Sequence, residues 1–368
     1  MRIMVLPCDG IGPEITAAAM KVLEAASAGF GLGLSFDYED AGFASLERHG
    51  TTLRPETIER ARDYDGVILG PQSHMDYPPR EQGGINVSAG FRVGLDLYAN
   101  VRPARSRPFL GRGAKDMDLV IMREATEGFY PDRNMHKGIG EFMPTPDIAL
   151  SVRKITAQAS ARIARAAFVL AMKRGRKVTA VHKANNFILS DGLFMEQVRK
   201  VAAEFPKVRL EDVIVDAMAA HLVRDPSRFD VIVTTNFYAD ILSDLASELS
   251  GSLGLAGSIN ANAETGLICA QAQHGSAPDI QGQNVANPTS LILSAAMMLS
   301  WLGEQRALPA FEQAGAAMER AVDRVLADPA SRTRDLGGAM NTDDFGDRVA
   351  GALGEAESAD RKESATGD

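Results

Sequence analysis

The chain has 368 residues, 45% hydrophobic and 24% charged, a balance that suits two globular domains of ordinary size and not one small core. A net charge of −9 supplies no basic stripe to neutralise phosphates, so no nucleic acid is expected as a partner. No apolar run approaches the roughly 18 residues that span a bilayer, so no membrane segment is expected, and two cysteines, Cys8 and Cys269, make no disulfide framework, which points to a reducing cytoplasmic setting.

The opening residues run straight into a polar turn and read as a first strand, Ile3 to Pro7, and not as a signal peptide. A helix is expected from about Pro13, a second around Glu56 to Arg62, and a short buried strand at Asp65-Gly-Val-Ile-Leu-Gly. Residues Pro71 to Gly90 are rich in Gly and Pro and read as a long loop. A helix-to-strand segment carries Arg92 and Arg102, and the strand starting at Asp118 closes on Arg123. Tyr130 to Pro146 reads as a second long loop, followed by a helix from about Thr156 to Arg174 and a strand from Lys177 that leads to Lys183. Strands at Val213 and Phe229 to Thr234 precede Asp216 and a helix over Asn236 to Glu248. The loop from His274 feeds an apolar helix from Pro288 to Trp301, and Glu355 to Asp368 lacks large apolar residues and is expected to be a disordered tail. Strands alternating with helices predict an α/β fold with covered sheets.

Four groups of residues carry chemistry. Arg92, Arg102 and Arg123 sit at helix and strand ends, where planar guanidinium forks clamp carboxylates bidentately. Asp240 and Asp244 lie one turn apart on one helix face, with Glu248 extending an acidic stripe that no nearby lysine or arginine in the sequence compensates. With Asp216, and without nearby His or Cys, they suit Mg2+ or Mn2+ and disfavour zinc. Lys183 at a strand end is a candidate general base, and Tyr130 a candidate acid. His182 and His221 are isolated and read as structural. No Gly-x-Gly-x-x-Gly fingerprint follows a strand; the better nucleotide candidate is the loop His274, Gly275, Ser276, Ala277, Pro278, Asp279 through Asn287, whose small residues let a backbone approach a phosphate or ring. Asp279 suits ribose hydroxyls and repels a 2′-phosphate, favouring NAD over NADP.

These motifs, in this order, resemble the β-decarboxylating dehydrogenases: isopropylmalate, isocitrate, homoisocitrate and tartrate/D-malate dehydrogenases. The similarity runs from Asp9-Gly-Ile-Gly-Pro-Glu to Asp335-Leu-Gly-Gly and is densest at Asp216-Ala-Met-Ala-Ala-His, at Phe229 through Gly254, and at His274 to Pro288. The resemblance implies a two-domain isopropylmalate dehydrogenase-like fold with covered mixed sheets: residues 1–98 plus 252–354 binding cofactor, and 99–251 carrying substrate, metal and dimer contacts. It also implies NAD and Mg2+ or Mn2+ as cofactors, Arg92, Arg102 and Arg123 as substrate clamp, and Tyr130 and Lys183 as acid and base. Asp216, Asp240 and Asp244 correspond to the metal ligands, and the His274 to Asn287 loop to the adenosine site. The implied assembly is a homodimer with shared active sites, in which Lys183 and Asp216 reach the partner's site.

The implied reaction is oxidation of a small anionic 2-hydroxy diacid at C2 followed by loss of carbon dioxide. Asn86 and Ser88, just before Arg92, lie where the family contacts the C3 substituent, and a small or polar substituent is favoured over the isopropyl group of 3-isopropylmalate dehydrogenase. The alternative of another class is a non-catalytic regulatory subunit. The chain departs from the family pattern in three places: Cys8 where glycine is usual, His182 where aspartate often stands, and Gln271-Ala-Gln-His in place of Glu-Pro-Val-His.

Overall fold

The computed structural model describes residues 1–113 and 116–365. Its elements run β1 (Arg2–Leu6), α1 (Gly12–Gly29), β2 (Ser35–Tyr38), α2 (Phe43–His49), α3 (Pro55–Ala61), β3 (Gly66–Leu69), α4 (Val87–Gly94), β4 (Ala99–Arg105) and β5 (Asp118–Glu124). There follow β6 (Glu141–Thr145), β7 (Ile148–Ser151), α5 (Ala157–Met172), β8 (Lys177–His182), α6 (Ser190–Ala202), β9 (Arg209–Ile214), α7 (Val215–Arg224), β10 (Val231–Thr234) and α8 (Asn236–Ser250). The chain ends with β11 (Ile259–Asn262), β12 (Leu267–Gln271), α9 (Thr289–Arg306), α10 (Pro309–Ala327) and α11 (Thr342–Ala365).

Ten strands form one mixed sheet among the described residues, in the order β2-β1-β3-β12-β11-β4-β5-β10-β8-β9. The central contacts β12–β11, β11–β4 and β4–β5 are antiparallel and the flanking ones parallel. Strands β3 and β10 are buried at every residue, because helices cover both faces and an apolar run with no alternation is what such a position requires. Two cores flank one half of the sheet: one packs α1, α9 and α10 and includes Ile15, Leu299 and Met318, and the other includes Met4, Leu69 and Phe91. The other half has its own pair, around Phe168 and Phe194 on one face and Met218 and Leu242 on the other. Strands from both chain ends thus build one half, and strands from the middle build the other.

Three expectations change. The loop from Tyr130 ends in a two-stranded ribbon, β6–β7, whose residues are exposed on both faces. With neither face buried, it leaves no period-2 signature to read. The long loop after Pro71 gives way at Asn86, whose side chain caps α4 by accepting from the Ala89 backbone N–H at 3.0 Å. Asp216 lies inside the first turn of α7 and not after a strand reaching Val215. Of the tail expected from Glu355 to Asp368, residues 366–368 lie outside the described residues. No described helix is long and apolar enough to cross a membrane.

Candidate active site

At the junction of the two halves, α4, β4, β5 and α8 surround a cavity of about 520 Å³. Asn86, Ser88, Arg92, Arg102, Arg123, Tyr130, Asp240 and Asp244 all line it, so most of the clamp, acid and cation groups expected from sequence come together. Antiparallel pairing sets Arg102 opposite Ile121 and Asn100 opposite Arg123, so both guanidiniums rise from neighbouring strands toward α8.

Asp240 is the meeting point. Its Oδ1 accepts from Arg102 at 3.2 Å and from Arg123, and its Oδ2 accepts from the Tyr130 hydroxyl at 2.5 Å. Arg102 also reaches Asp244 at 3.5 Å and Ser243 Oγ at 2.6 Å. The acidic stripe is therefore compensated by arginines from β4 and β5, which the helical pattern alone could not reveal. Burial works against ionising Asp240, but Arg123 and Arg102 overcome it and hold the carboxyl at about 2. Burial pushes Tyr130 up to about 12, so it carries its proton at neutral pH. Arg92 is buried and donates to Asn260 Oδ1 at 2.9 Å; desolvation and the adjacent Arg123 and Arg102 pull its pKa well down. Burial likewise brings Arg102 to about 10. Three buried guanidiniums facing two carboxylates leave a local excess of positive charge inside an acidic protein, the override that an anionic substrate needs.

Asn236, the first residue of α8, ties the parts together. Its Oδ1 accepts from Arg123 Nε at 2.8 Å, and its Nδ2 donates to the Glu127 carbonyl at 2.6 Å. Glu127 itself is buried and accepts from the Thr156 N–H at 2.7 Å; burial raises its pKa to about 7. A carboxyl raised above its unfolded value favours the fold when protonated, and this advantage disappears as pH rises through about 7. Glu127→Gln, which keeps the acceptor, should therefore raise stability at pH 8 by on the order of 1–3 kcal/mol and change little near pH 4, measured by urea titration at both pH values. An equal effect at both would contradict the burial argument.

Lys183 and Asp216 stand apart from this cavity. Lys183 Nζ donates to Asp216 Oδ1 at 2.5 Å, and both side chains are partly open to solvent. Among the described residues of one chain, no three His, Cys, Asp or Glu side chains converge as cation ligands. On the segments next in chain or sheet to the Lys183–Asp216 pair, Phe187, Ile188 and Leu189 beyond β8, Val223 on α7, and Phe237 and Ile241 on α8 are exposed apolar groups.

A second cavity, of about 290 Å³, is lined by His274, Gly275, Ala277 and Asn287 of the expected nucleotide loop, with Ile11, Gly254 and Asp335. His274 Nε2 is buried without a partner among the described residues, and burial lowers the pKa of the ring, favouring its neutral form. A Cβ on Gly254 would stand 3.2 Å from Asp335 Oδ2, so the glycine keeps this side of the cavity open. Ser276 turns inward instead: its Oγ bonds Ser73 Oγ at 2.7 Å, and its carbonyl accepts from Ile11 at 2.8 Å. Pro278 and Asp279 are exposed on a single 3-10 turn and do not line the cavity. Cys8 adopts a φ of 58°, which explains why glycine suits that position, while His182 bonds Asp212 at 3.2 Å as a structural residue.

Sequence reasoning missed Arg133, which lines the first cavity and lies 5.1 Å from the Tyr130 ring, and passed over what Gln271 and Gln273 do there. Residues 2–349 match the isocitrate/isopropylmalate dehydrogenase family. The chain belongs to this family. The isocitrate/homoisocitrate dehydrogenase of Thermus thermophilus is 44% identical over 354 residues, covering 96% of this chain and 98% of the relative. The 3-isopropylmalate/3-methylmalate dehydrogenase of Methanocaldococcus jannaschii is 41% identical, covering 95% and 98%. A crystal structure of isocitrate dehydrogenase from Methylococcus capsulatus matches with a TM-score of 0.82 and 38% identity, over 96% of this chain and 99% of that one. The expected α/β fold is met. As an isocitrate/isopropylmalate dehydrogenase family member the chain is a decarboxylating dehydrogenase, an oxidoreductase; the family uses NAD and a divalent metal, binds hydroxy acids and is dimeric.

Proposed function

We propose that this chain catalyses NAD-dependent, divalent-cation-dependent oxidative decarboxylation of a malate-type 2-hydroxy diacid with a small or polar C3 substituent. The observation that carries this reading is the convergence of Arg102, Arg123 and Tyr130 on Asp240 inside one cavity. Oxygen-only donors one turn apart fit Mg2+ or Mn2+, and Asp216 of a second copy completes the set if the exposed apolar surface around Lys183 is the dimer contact. The small-residue pocket and orphaned His274 Nε2 fit the adenosine of NAD.

When bound, the cation held by Asp240 and Asp244 would supply Lewis-acid polarisation of the C2 hydroxyl, and NAD held by the His274 loop would supply the hydride acceptor. Arg92, Arg102 and Arg123 hold the substrate carboxylates and fix the face presented to the cofactor. Lys183 of a second copy takes the hydroxyl proton, and Tyr130, protonated at neutral pH, gives a proton to C3 after carbon dioxide leaves. Retention of Lys183, Tyr130 and the three aspartates argues against a non-catalytic subunit.

The substituent wall supports a polar group. Ser88 Oγ donates to Gln271 Oε1 at 2.8 Å, Asn86 adds an amide, and Ala89 and Pro131 are the apolar lining residues. An isopropyl group there would desolvate amides without bonding them. A panel of 2-hydroxy diacids with Mn2+ and NAD is expected to give kcat/KM for a polar-substituted diacid at least about tenfold above 3-isopropylmalate. The reverse ranking would make the alternative, 3-isopropylmalate dehydrogenase, the better reading, and no NADH formation with any diacid would defeat both.

A further inference from the structure

Gln273 directly precedes the histidine of the expected cofactor loop, and its amide reaches from that loop to α8. Gln273 Nε2 donates to Asp244 Oδ1 and to Ser247 Oγ, each at 3.0 Å, so it holds the outer carboxylate of α8 by one of its oxygens. Its backbone N–H donates to Ser290 Oγ at 3.1 Å, anchoring the loop start to α9. Its Oε1 is buried and has no partner among the described residues, so the two donated bonds alone fix the side chain. The next two residues, His274 and Gly275, line both the diacid cavity and the nucleotide pocket.

We infer that Gln273 couples divalent-cation binding at Asp244 to nucleotide binding in the His274 loop. This rests on the cation and NAD roles proposed above. The physical route is short. A cation that locks the Asp244 carboxylate also locks the amide donating to it, as hydrogen-bonded neighbours orient metal ligands generally. An immobilised Gln273 side chain leaves the backbone of His274 and Gly275 with fewer conformations to lose when the nucleotide arrives. Ordering is then charged once for two ligands, and the coupling is positive. Linkage requires reciprocity: NAD must tighten the cation by the factor with which the cation tightens NAD. Valine at this position packs but cannot reach across, so the two sites would bind independently.

The test is calorimetric titration of the whole protein with NAD, without and with saturating Mn2+, and with Mn2+ in the presence and absence of NAD. The wild type is expected to bind NAD about fivefold or more tightly with Mn2+, with the same factor in the reciprocal titration. Gln273→Val is expected to bring both ratios close to one while each ligand alone still binds. Gln273→Leu, which keeps the side chain's bulk, guards against a packing defect in the first variant. Association of Mn2+ with NAD in solution is measured by the same titration without protein and taken out of every ratio. A wild-type ratio of one, or variants that keep the wild-type ratio, overturns the coupling and leaves the proposed function intact. Failure of the wild type to bind either ligand overturns both.

Discussion

Replacing Lys183 by methionine is expected to lower kcat by about 10²–10⁴-fold while leaving Mn2+ and diacid affinities within a few-fold. The backbone there is fixed independently of the side chain: the Lys183 N–H donates to Asp191 Oδ2 at 2.6 Å. Asp191 has no exposed surface and is held by Arg153 at 2.6 Å. Arg153 in turn packs over the rings of Phe129, Phe187 and Tyr238. Methionine keeps the stem that this framework supports and removes the proton acceptor together with its partly exposed ion pair to Asp216. A general base should therefore be lost without loss of the fold, read as unchanged thermal unfolding beside collapsed turnover. Retained turnover would reassign the base, and a protein inactive before the substitution would point to a pure binder.

Asp240→Asn is expected to have the second large effect. The amide oxygen can still accept from Arg102 and Arg123, while its NH2 takes the place of Oδ2 and donates to the Tyr130 hydroxyl, so the local shape should survive. It removes the charge that holds a cation, and apparent Mn2+ affinity should fall on the order of 100-fold or more, with turnover falling alongside. Arg102 and Arg123 would then face the cavity without their main counter-charge. Buried guanidiniums in that state seek another anion, so diacid binding measured without any cation should hold or strengthen. That split separates a cation ligand from a merely structural aspartate, whose loss would weaken both ligands together.

The fold was legible where periodicity was strong. The buried runs at Ile3 and Val231, the helix with its Thr156 cap, and the apolar α9 all lie within two or three residues of their expected places, apart from α9's extension to Arg306. The exposed ribbon β6–β7 was not, because a strand buried on neither face carries no alternation. The site was legible as separate residue types, and tertiary pairing supplied what spacing could not. Asp240 and Asp244 read as an uncompensated stripe until β4 and β5 brought Arg102 and Arg123 against them. Asp9, seen only as part of a glycine-rich turn, proves to anchor the long loop by accepting from the Ser73 N–H at 3.0 Å and from the Tyr77 hydroxyl. Gln273 stood out as a departure from the family pattern, but its bond to α8 required the fold.

The central claim is that one active centre combines the arginine-bound carboxylates of one chain with Lys183 and Asp216 of another. Mixing unfolded Lys183→Met and Asp240→Asn chains and refolding them together tests it directly. Random pairing makes half the dimers mixed, and each mixed dimer has one intact centre only if the centres are shared between chains. The account predicts recovery to about one quarter of wild-type activity from two inactive parents. Recovery no greater than that of the separately refolded parents, with mixed dimers present by mass, would contradict it.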